Sequence, residues 1–252
     1  MKLLTLARDL RRRRARERQH LFVAEGVRAV GELLRSTLSV RGVLVSPKET
    51  DAPRAAALRD AARRRGIDVL EVSDREFASA AETDSPQGIL ALAEIPSGEL
   101  GDLSPAERCR LVILDAVQDP GNVGTIVRTA AALNAAAVVA MPGTVDLWNA
   151  KVVRSAMGAL FHRPAYLSTW AELDTFRSAH RLSLWGADAS GEPLGSIEPP
   201  ARLALVVGNE GAGLTEEARA RLDHVVALPI DPAIESLNVA VATGILLYQL
   251  RQ

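Results

Sequence analysis

The chain has 252 residues, 48% hydrophobic and 24% charged, with a formal net charge of −1, enough apolar material for two ordinary cores and no overall charge that marks a polyanion's partner. Its single cysteine, Cys109, excludes an internal disulfide framework and a multi-cysteine zinc site. Positions 1–20 are too charged for a secretory signal and no apolar stretch reaches the roughly 18 residues of a membrane span, so the expectation is a cytoplasmic protein with no membrane partner.

The charge is unevenly placed. Arg8, Arg11, Arg12, Arg13, Arg14, Arg16 and Arg18 stand against Asp9 and Glu17 alone. Such a run reads either as a phosphate-contacting arm, able to steer a neutral protein to RNA, or as a solvated helical face. Next, Phe22-Val23-Ala24-Glu25-Gly26 leads into a predicted helix over 27–34, where Val27, Val30, Leu33 and Leu34 fall at helical spacing. Strands at 43–45, 69–72 and 88–92 alternate with a helix over 54–65, ended by Gly66, and a short helix from Ser73. That alternation predicts a small α/β unit over residues 1–93.

Residues 94–107 hold two prolines and two glycines and read as a linker. Beyond it, near-continuous apolar strands at 111–114, 137–141, 182–186, 203–207 and 225–228 predict a mostly parallel sheet buried on both faces. Helices are expected over 123–133, 149–160, 170–179, 215–222 and 236–250.

Three blocks in this second region carry chemistry. In Asp119-Pro120-Gly121-Asn122-Val123-Gly124-Thr125-Ile126-Val127-Arg128, Asn122 suits an N-cap, and Arg128 on so apolar a helix either snorkels or binds an anion. The loop Val207-Gly208-Asn209-Glu210-Gly211-Ala212-Gly213-Leu214 has neither the G-x-G-x-x-G spacing of a dinucleotide fold nor a phosphate loop with its lysine. It reads either as a tight turn with Glu210 solvated or as small residues admitting a flat ligand to the backbone. In Leu228-Pro229-Ile230-Asp231-Pro232-Ala233-Ile234-Glu235-Ser236-Leu237-Asn238, Ser236 suits the N-cap of the last helix, leaving Asn238 as an amide in need of a partner such as a substrate or cofactor. Ala240 and Gly244, four apart, allow a close helix approach that suits a dimer. The four histidines show no ligand spacing, so no metal is expected.

These blocks, in this order, resemble the three motifs of the SpoU/TrmH-type RNA 2′-O-ribose methyltransferases of the SPOUT superfamily. Arg154-Ser155-Ala156-Met157-Gly158-Ala159-Leu160-Phe161 is similar to the segment between the first two motifs, and residues 22–34 resemble the N-terminal substrate-binding domain, a fold like ribosomal protein L30e. The resemblance implies an α/β chain with an L30e-like RNA-binding domain over 1–93 and a trefoil-knotted methyltransferase domain over 108–252, dimeric through the latter. It implies S-adenosylmethionine held by Val207, Gly208, Asn209, Gly211, Leu228, Pro229, Ile230 and Leu237. Arg128, Asn122, Glu210, Ser236 and Asn238 match the family's active-site positions, and RNA contact falls to Arg11, Arg12, Arg13, Arg14, Glu25, Gly26 and Arg28. Pro232 stands where the family usually has glycine, which puts local cofactor contacts in question. A guanidinium is a poor proton acceptor, so Arg128 is expected to anchor phosphate and stabilise a developing alkoxide. Ribosomal RNA of the 23S type is the expected substrate; tRNA, or RNA binding without catalysis, are the alternatives.

Overall fold

The structure, a computed structural model, describes residues 2–47, 53–231 and 233–251; the departure at Pro232 lies outside the described residues. The chain divides into two compact units, Met1–Ser97 with Trp148–His162, and Gly98–Leu147 with Arg163–Gln252.

In the first unit the arginine run folds as two short helices, α1 (Leu3–Asp9) and α2 (Arg13–Gln19). Ala7 and Leu10 are buried in an apolar cluster with Leu44, Phe77 and Leu90, which fixes which face of α1 points inward. The run therefore divides by role. Arg16 is buried, its Nη1 donating to the Leu10 and Arg11 carbonyls at 2.8 and 2.9 Å, whereas Arg11 to Arg14 are exposed. Then follow β1 (Leu21–Glu25), α3 (Val27–Arg35), β2 (Val40–Val45), α4 (Pro53–Arg64), β3 (Val69–Glu71), α5 (Asp74–Ala80) and β4 (Ile89–Glu94). The sheet order is β1-β4-β2-β3, with β4 antiparallel to both β1 and β2, and β2 parallel to β3. β1 went unanticipated as a strand: it is fully buried and so lacks the period-2 alternation that marks a half-exposed one.

The expected helix over 149–160 is broken. α7 (Ala150–Ser155) stops where Met157 and Gly158 take φ of 54° and 93°, and a short 3₁₀ turn, Ala159–Phe161, follows. The first helix of the second unit, described below, is α6. The segment around α7 clusters with the first unit although its sequence neighbours do not, because Phe22 of β1 stacks against Trp148 at 4.6 Å and Phe161 at 5.6 Å between ring centroids. Glu32 of α3 closes over Gly158, where an added Cβ would sit 2.6 Å from its side chain.

The second unit carries β5 (Cys109–Leu114), α6 (Pro120–Ala132), β6 (Ala137–Ala140), β7 (Ala165–Leu167), α8 (Trp170–His180), β8 (Ser183–Pro193), β9 (Arg202–Val207), α9 (Glu216–Arg219), β10 (His224–Ala227) and α10 (Val239–Leu250). All six strands are parallel, in the order β10-β8-β9-β5-β6-β7. The continuous burial of β5, β6 and, after Arg202, β9 is what two covered faces require. Of the stretch 94–107, Glu94 closes β4 and Leu100 is buried in the second unit's core beside Trp170 and Leu173.

Two features shape the site. β8 bulges between its pairings with Val225 and Val226 of β10, so residues 187–191 leave the ladder at the sheet edge. α10 packs on α6, where a Cβ on Gly244 would lie 3.3 Å from Thr129 Cγ2. Gly244 thus uses its close approach within the chain, against α6. The opposite face of α10, Val241, Ile245 and Tyr248, is left 52%, 39% and 54% exposed.

Candidate active site

The three blocks meet at the carboxyl ends of the parallel strands, where open α/β sheets place their ligands. The loop after β9 is closed by its own backbone: Asn209 and Gly213 exchange hydrogen bonds of 2.9 and 3.0 Å, while Asn209 Oδ1 accepts from the Gly211 and Ala212 amides, both at 3.0 Å. A Cβ at Gly208 would meet the Gly213 carbonyl carbon at 2.3 Å, and Gly213 has φ of +69°. The glycines thus serve the fold of the loop itself, and not only the approach of a ligand. Asn209 Nδ2 ties the loop to the Ala116 carbonyl at 2.9 Å, and buried Asp115 accepts from the Thr215 amide at 2.7 Å and its hydroxyl at 3.1 Å. Burial pushes the Asp115 carboxyl up, against the pull of the Thr215 hydrogen bonds.

Glu210 is not a solvated tip. Its carboxylate accepts from Asn122 Nδ2 at 3.0 Å and from the Asp119 and Gln118 amides at 3.0 and 3.2 Å. Burial alone would raise this carboxyl, but the hydrogen bonds led by Asn122 outweigh it and hold it below the ordinary value. Asn122 Oδ1 in turn accepts from Asn238 Nδ2 at 2.9 Å. One residue from each block therefore forms a chain, Glu210 to Asn122 to Asn238.

Both capping expectations are corrected. Asp119 caps α6, accepting from the Asn122 amide at 2.8 Å with Pro120 at the first helical position, an arrangement that spares an orphan donor. Asn238, not Ser236, caps α10, accepting from the Ala240 and Val241 amides at 3.0 and 3.2 Å. The partner that Asn238 needed is thus a helix end and Asn122.

Glu210 and Asn238, the two ends of this chain, line a cavity of about 650 Å³, inside the range of about 300 to 1,000 Å³ typical of small-molecule sites, and Asn122 between them is not on its wall. Val207, Gly208, Asn209 and Gly211 wall one side, and Leu228, Ile230 and Leu237 another; Glu210, Ser236 and Asn238 also face it, whereas Pro229 does not. Arg128 is exposed further along α6 and is not on the wall. Among the lining residues that escaped the sequence reading are Asp188, on the β8 bulge, and Arg219 of α9, which pair with each other. Nothing in their local sequence marks them, since their meeting depends on the bulge. In the first unit, Glu25 is buried and its carboxylate accepts from the Glu82 amide at 2.8 Å and from the Thr83 hydroxyl, Gly26 opens α3 with φ of +95°, and Arg28 is exposed.

A profile of the SpoU rRNA Methylase family matches residues 110–248, more than half of the chain. The chain belongs to that family. Residues 5–91 match an MRM3-like substrate binding domain. The chain is 36% identical over 245 residues to the 23S rRNA (guanosine(2553)-2′-O)-methyltransferase RlmP of Bacillus subtilis, covering 97% of this chain and 94% of that protein. It is 33% identical to the 23S rRNA (guanosine-2′-O-)-methyltransferase RlmB of Xanthomonas campestris over 89% of this chain and 93% of that one. Among solved structures it resembles an AdoMet-bound rRNA methyltransferase from Sinorhizobium meliloti, with a TM-score of 0.87 and 28% identity over 99% of this chain and 94% of that one. The SpoU methyltransferase AviRb from Streptomyces viridochromogenes, in complex with AdoMet, gives a TM-score of 0.89 at 26% identity over 98% and 96% of the two chains.

Proposed function

We propose that the protein methylates a ribose 2′-hydroxyl of 23S ribosomal RNA, using S-adenosylmethionine. The observation that carries this reading is the Glu210–Asn122–Asn238 chain, drawn from three separate blocks to the mouth of one backbone-walled cavity. The cavity fits the cofactor: its glycine loop leaves backbone accessible, and Leu228, Ile230, Leu237 and Leu246 offer apolar wall to a flat ring. The bound cofactor supplies an activated methyl group. The chain's own residues align the acceptor and stabilise charge on it, which accounts for much of the acceleration in transfers of this kind.

In this reading the fixed trio holds the glycine loop, the start of α6 and the start of α10 in one geometry before RNA arrives. Arg128, exposed on α6, anchors an RNA phosphate and stabilises the alkoxide that forms as the hydroxyl proton passes to water. Residues 1–93 serve as the RNA-binding domain, with Arg11 to Arg14 as phosphate contacts, and residues 108–252 as the methyltransferase domain. The return of the chain's last helix to α6, in the middle of the sheet order, supports the knotted threading that the family resemblance implies. The exposed Val241, Ile245 and Tyr248 support a homodimer through α10. No helix among the described residues is long and apolar enough to cross a membrane, and an rRNA substrate supports a cytoplasmic enzyme.

The test is transfer of radiolabelled methyl from S-adenosylmethionine to total RNA from a strain lacking the gene, resolved by size. Label in the large rRNA is the expected result. Label confined to tRNA overturns the substrate, and its absence from all RNA, with cofactor binding intact, overturns catalysis on free RNA.

A further inference from the structure

We propose that a second cavity, contained in the first unit, seats one phosphodiester of an unpaired nucleotide of the RNA substrate, with the guanidinium of Arg154 as its anion-binding group. The inference rests on the RNA-methylating reading above and adds to it a residue that the sequence placed in the other half of the molecule.

The cavity measures about 290 Å³ and is lined by Glu25, Gly26, Arg28, Ser85, Gln87 and Arg154 among others. Arg154 lines it, and its Nη1, which has no accessible surface, finds no hydrogen-bond acceptor among the described residues. A guanidinium carries only donors, and leaving one of them dry and unpaired costs stability. The carboxylate on the same wall does not relieve it: both oxygens of Glu25 are engaged, by the Glu82 amide and the Thr83 hydroxyl. The Gln87 side-chain oxygen is likewise taken, by the Val27 amide at 2.9 Å. Arg28 brings a second cation to the rim. A cavity with two guanidinium groups, one of them unpartnered, and its only carboxylate internally satisfied is set for an anion with several acceptor oxygens.

The Arg154 backbone is also pinned. α7 is held on β1 by Trp148 and Phe161 against Phe22, and is stopped by the positive φ angles of Met157 and Gly158. A floppy surface arginine would reach solvent, but one on a helix fixed at both ends cannot withdraw without undoing aromatic packing. An RNA phosphodiester supplies acceptors to the guanidinium once the side chain turns from the wall into the cavity. An unpaired segment is favoured over a duplex because the site is a concavity of about 290 Å³, and side chains reach such segments where nucleotides are splayed out.

The experiment compares the full-length wild type with Arg154→Gln, Arg154→Lys and Ser85→Asp, the last adding a negative charge at an exposed rim position without touching the packing. Binding to a deproteinised 23S rRNA transcript is measured across salt concentrations, and S-adenosylmethionine binding is measured without RNA. Arg154→Gln and Ser85→Asp are expected to weaken RNA binding about tenfold and to flatten its salt dependence by about one charge, with cofactor affinity unchanged. Arg154→Lys keeps the salt slope but loses part of the affinity. Unchanged RNA affinity in both Arg154→Gln and Ser85→Asp overturns the inference. So does a loss of RNA and cofactor binding together in Arg154→Gln while Ser85→Asp binds normally, which would mark Arg154 as purely structural. Failure of the wild type to methylate any RNA overturns the underlying reading instead, and is seen in the wild type alone.

Discussion

On the cavity of the second unit, Glu210 is held by Asn122 and two amides, and Asn238 by Asn122 and the first turn of α10. The cavity of the first unit has a carboxylate equally well satisfied, Glu25, beside an arginine that is not. In both units, then, neutral and acidic groups build the scaffold, while the groups free to meet a ligand are backbone, apolar wall and arginine. That difference separates residues whose loss should damage geometry from those whose loss should damage contact with RNA.

The sharpest break of this division is at Arg128. Arg128→Lys keeps the charge but removes the planar fork, and turnover is expected to fall about a hundredfold with S-adenosylmethionine affinity unchanged. Near-normal turnover would remove Arg128 from the contact class. Gly208→Ala should act on geometry alone: its Cβ meets loop backbone at 2.3 Å, so cofactor binding measured by calorimetry should drop at least tenfold, with a stability loss of about 1 to 3 kcal/mol. Asn238→Ala removes a helix cap and the Asn122 partner together. The cap alone is worth about 1 kcal/mol in thermal unfolding, and kcat should fall further because Asn122 is released.

Two smaller effects sharpen the comparison. Because the Glu210 carboxyl is held below its ordinary value in the folded state, its contribution is present above the unfolded value of about 4.3 and is lost as pH falls through the folded one. Glu210→Gln should therefore flatten the acid side of the stability profile. If the slope below pH 5 is unaltered, Glu210 is not the anchored group described here. Ile245→Asp on the exposed face of α10 should shift the protein from dimer to monomer in sedimentation while the monomer stays folded, since the residue is 39% exposed.

Much of the second unit was legible in the sequence because its central strands β5, β6 and β9 are buried on both faces, and continuous apolar runs need no partner to be recognised. The helix caps were not. Ser236 and Asn238 are both good capping residues, and the choice between them is made by Asn122, far away in the chain. Asp119 was readable from the proline that follows it, because proline at the first helical position marks the residue before it as the cap. The position of Arg154 was hidden for a different reason. Its segment lies between two strands of the second sheet in sequence, and only the aromatic packing on Phe22 assigns it to the first unit. Glu210 likewise shows its role only through partners about ninety positions earlier.

The most direct test of the chemistry is the nature of the methylated product. After incubation with labelled S-adenosylmethionine and 23S rRNA, the RNA is hydrolysed in alkali, which cleaves only where a 2′-hydroxyl is free. Label recovered in alkali-resistant dinucleotides is the expected result. Label released in mononucleotides would place the methyl on a base and contradict the assignment of ribose 2′-O-methylation.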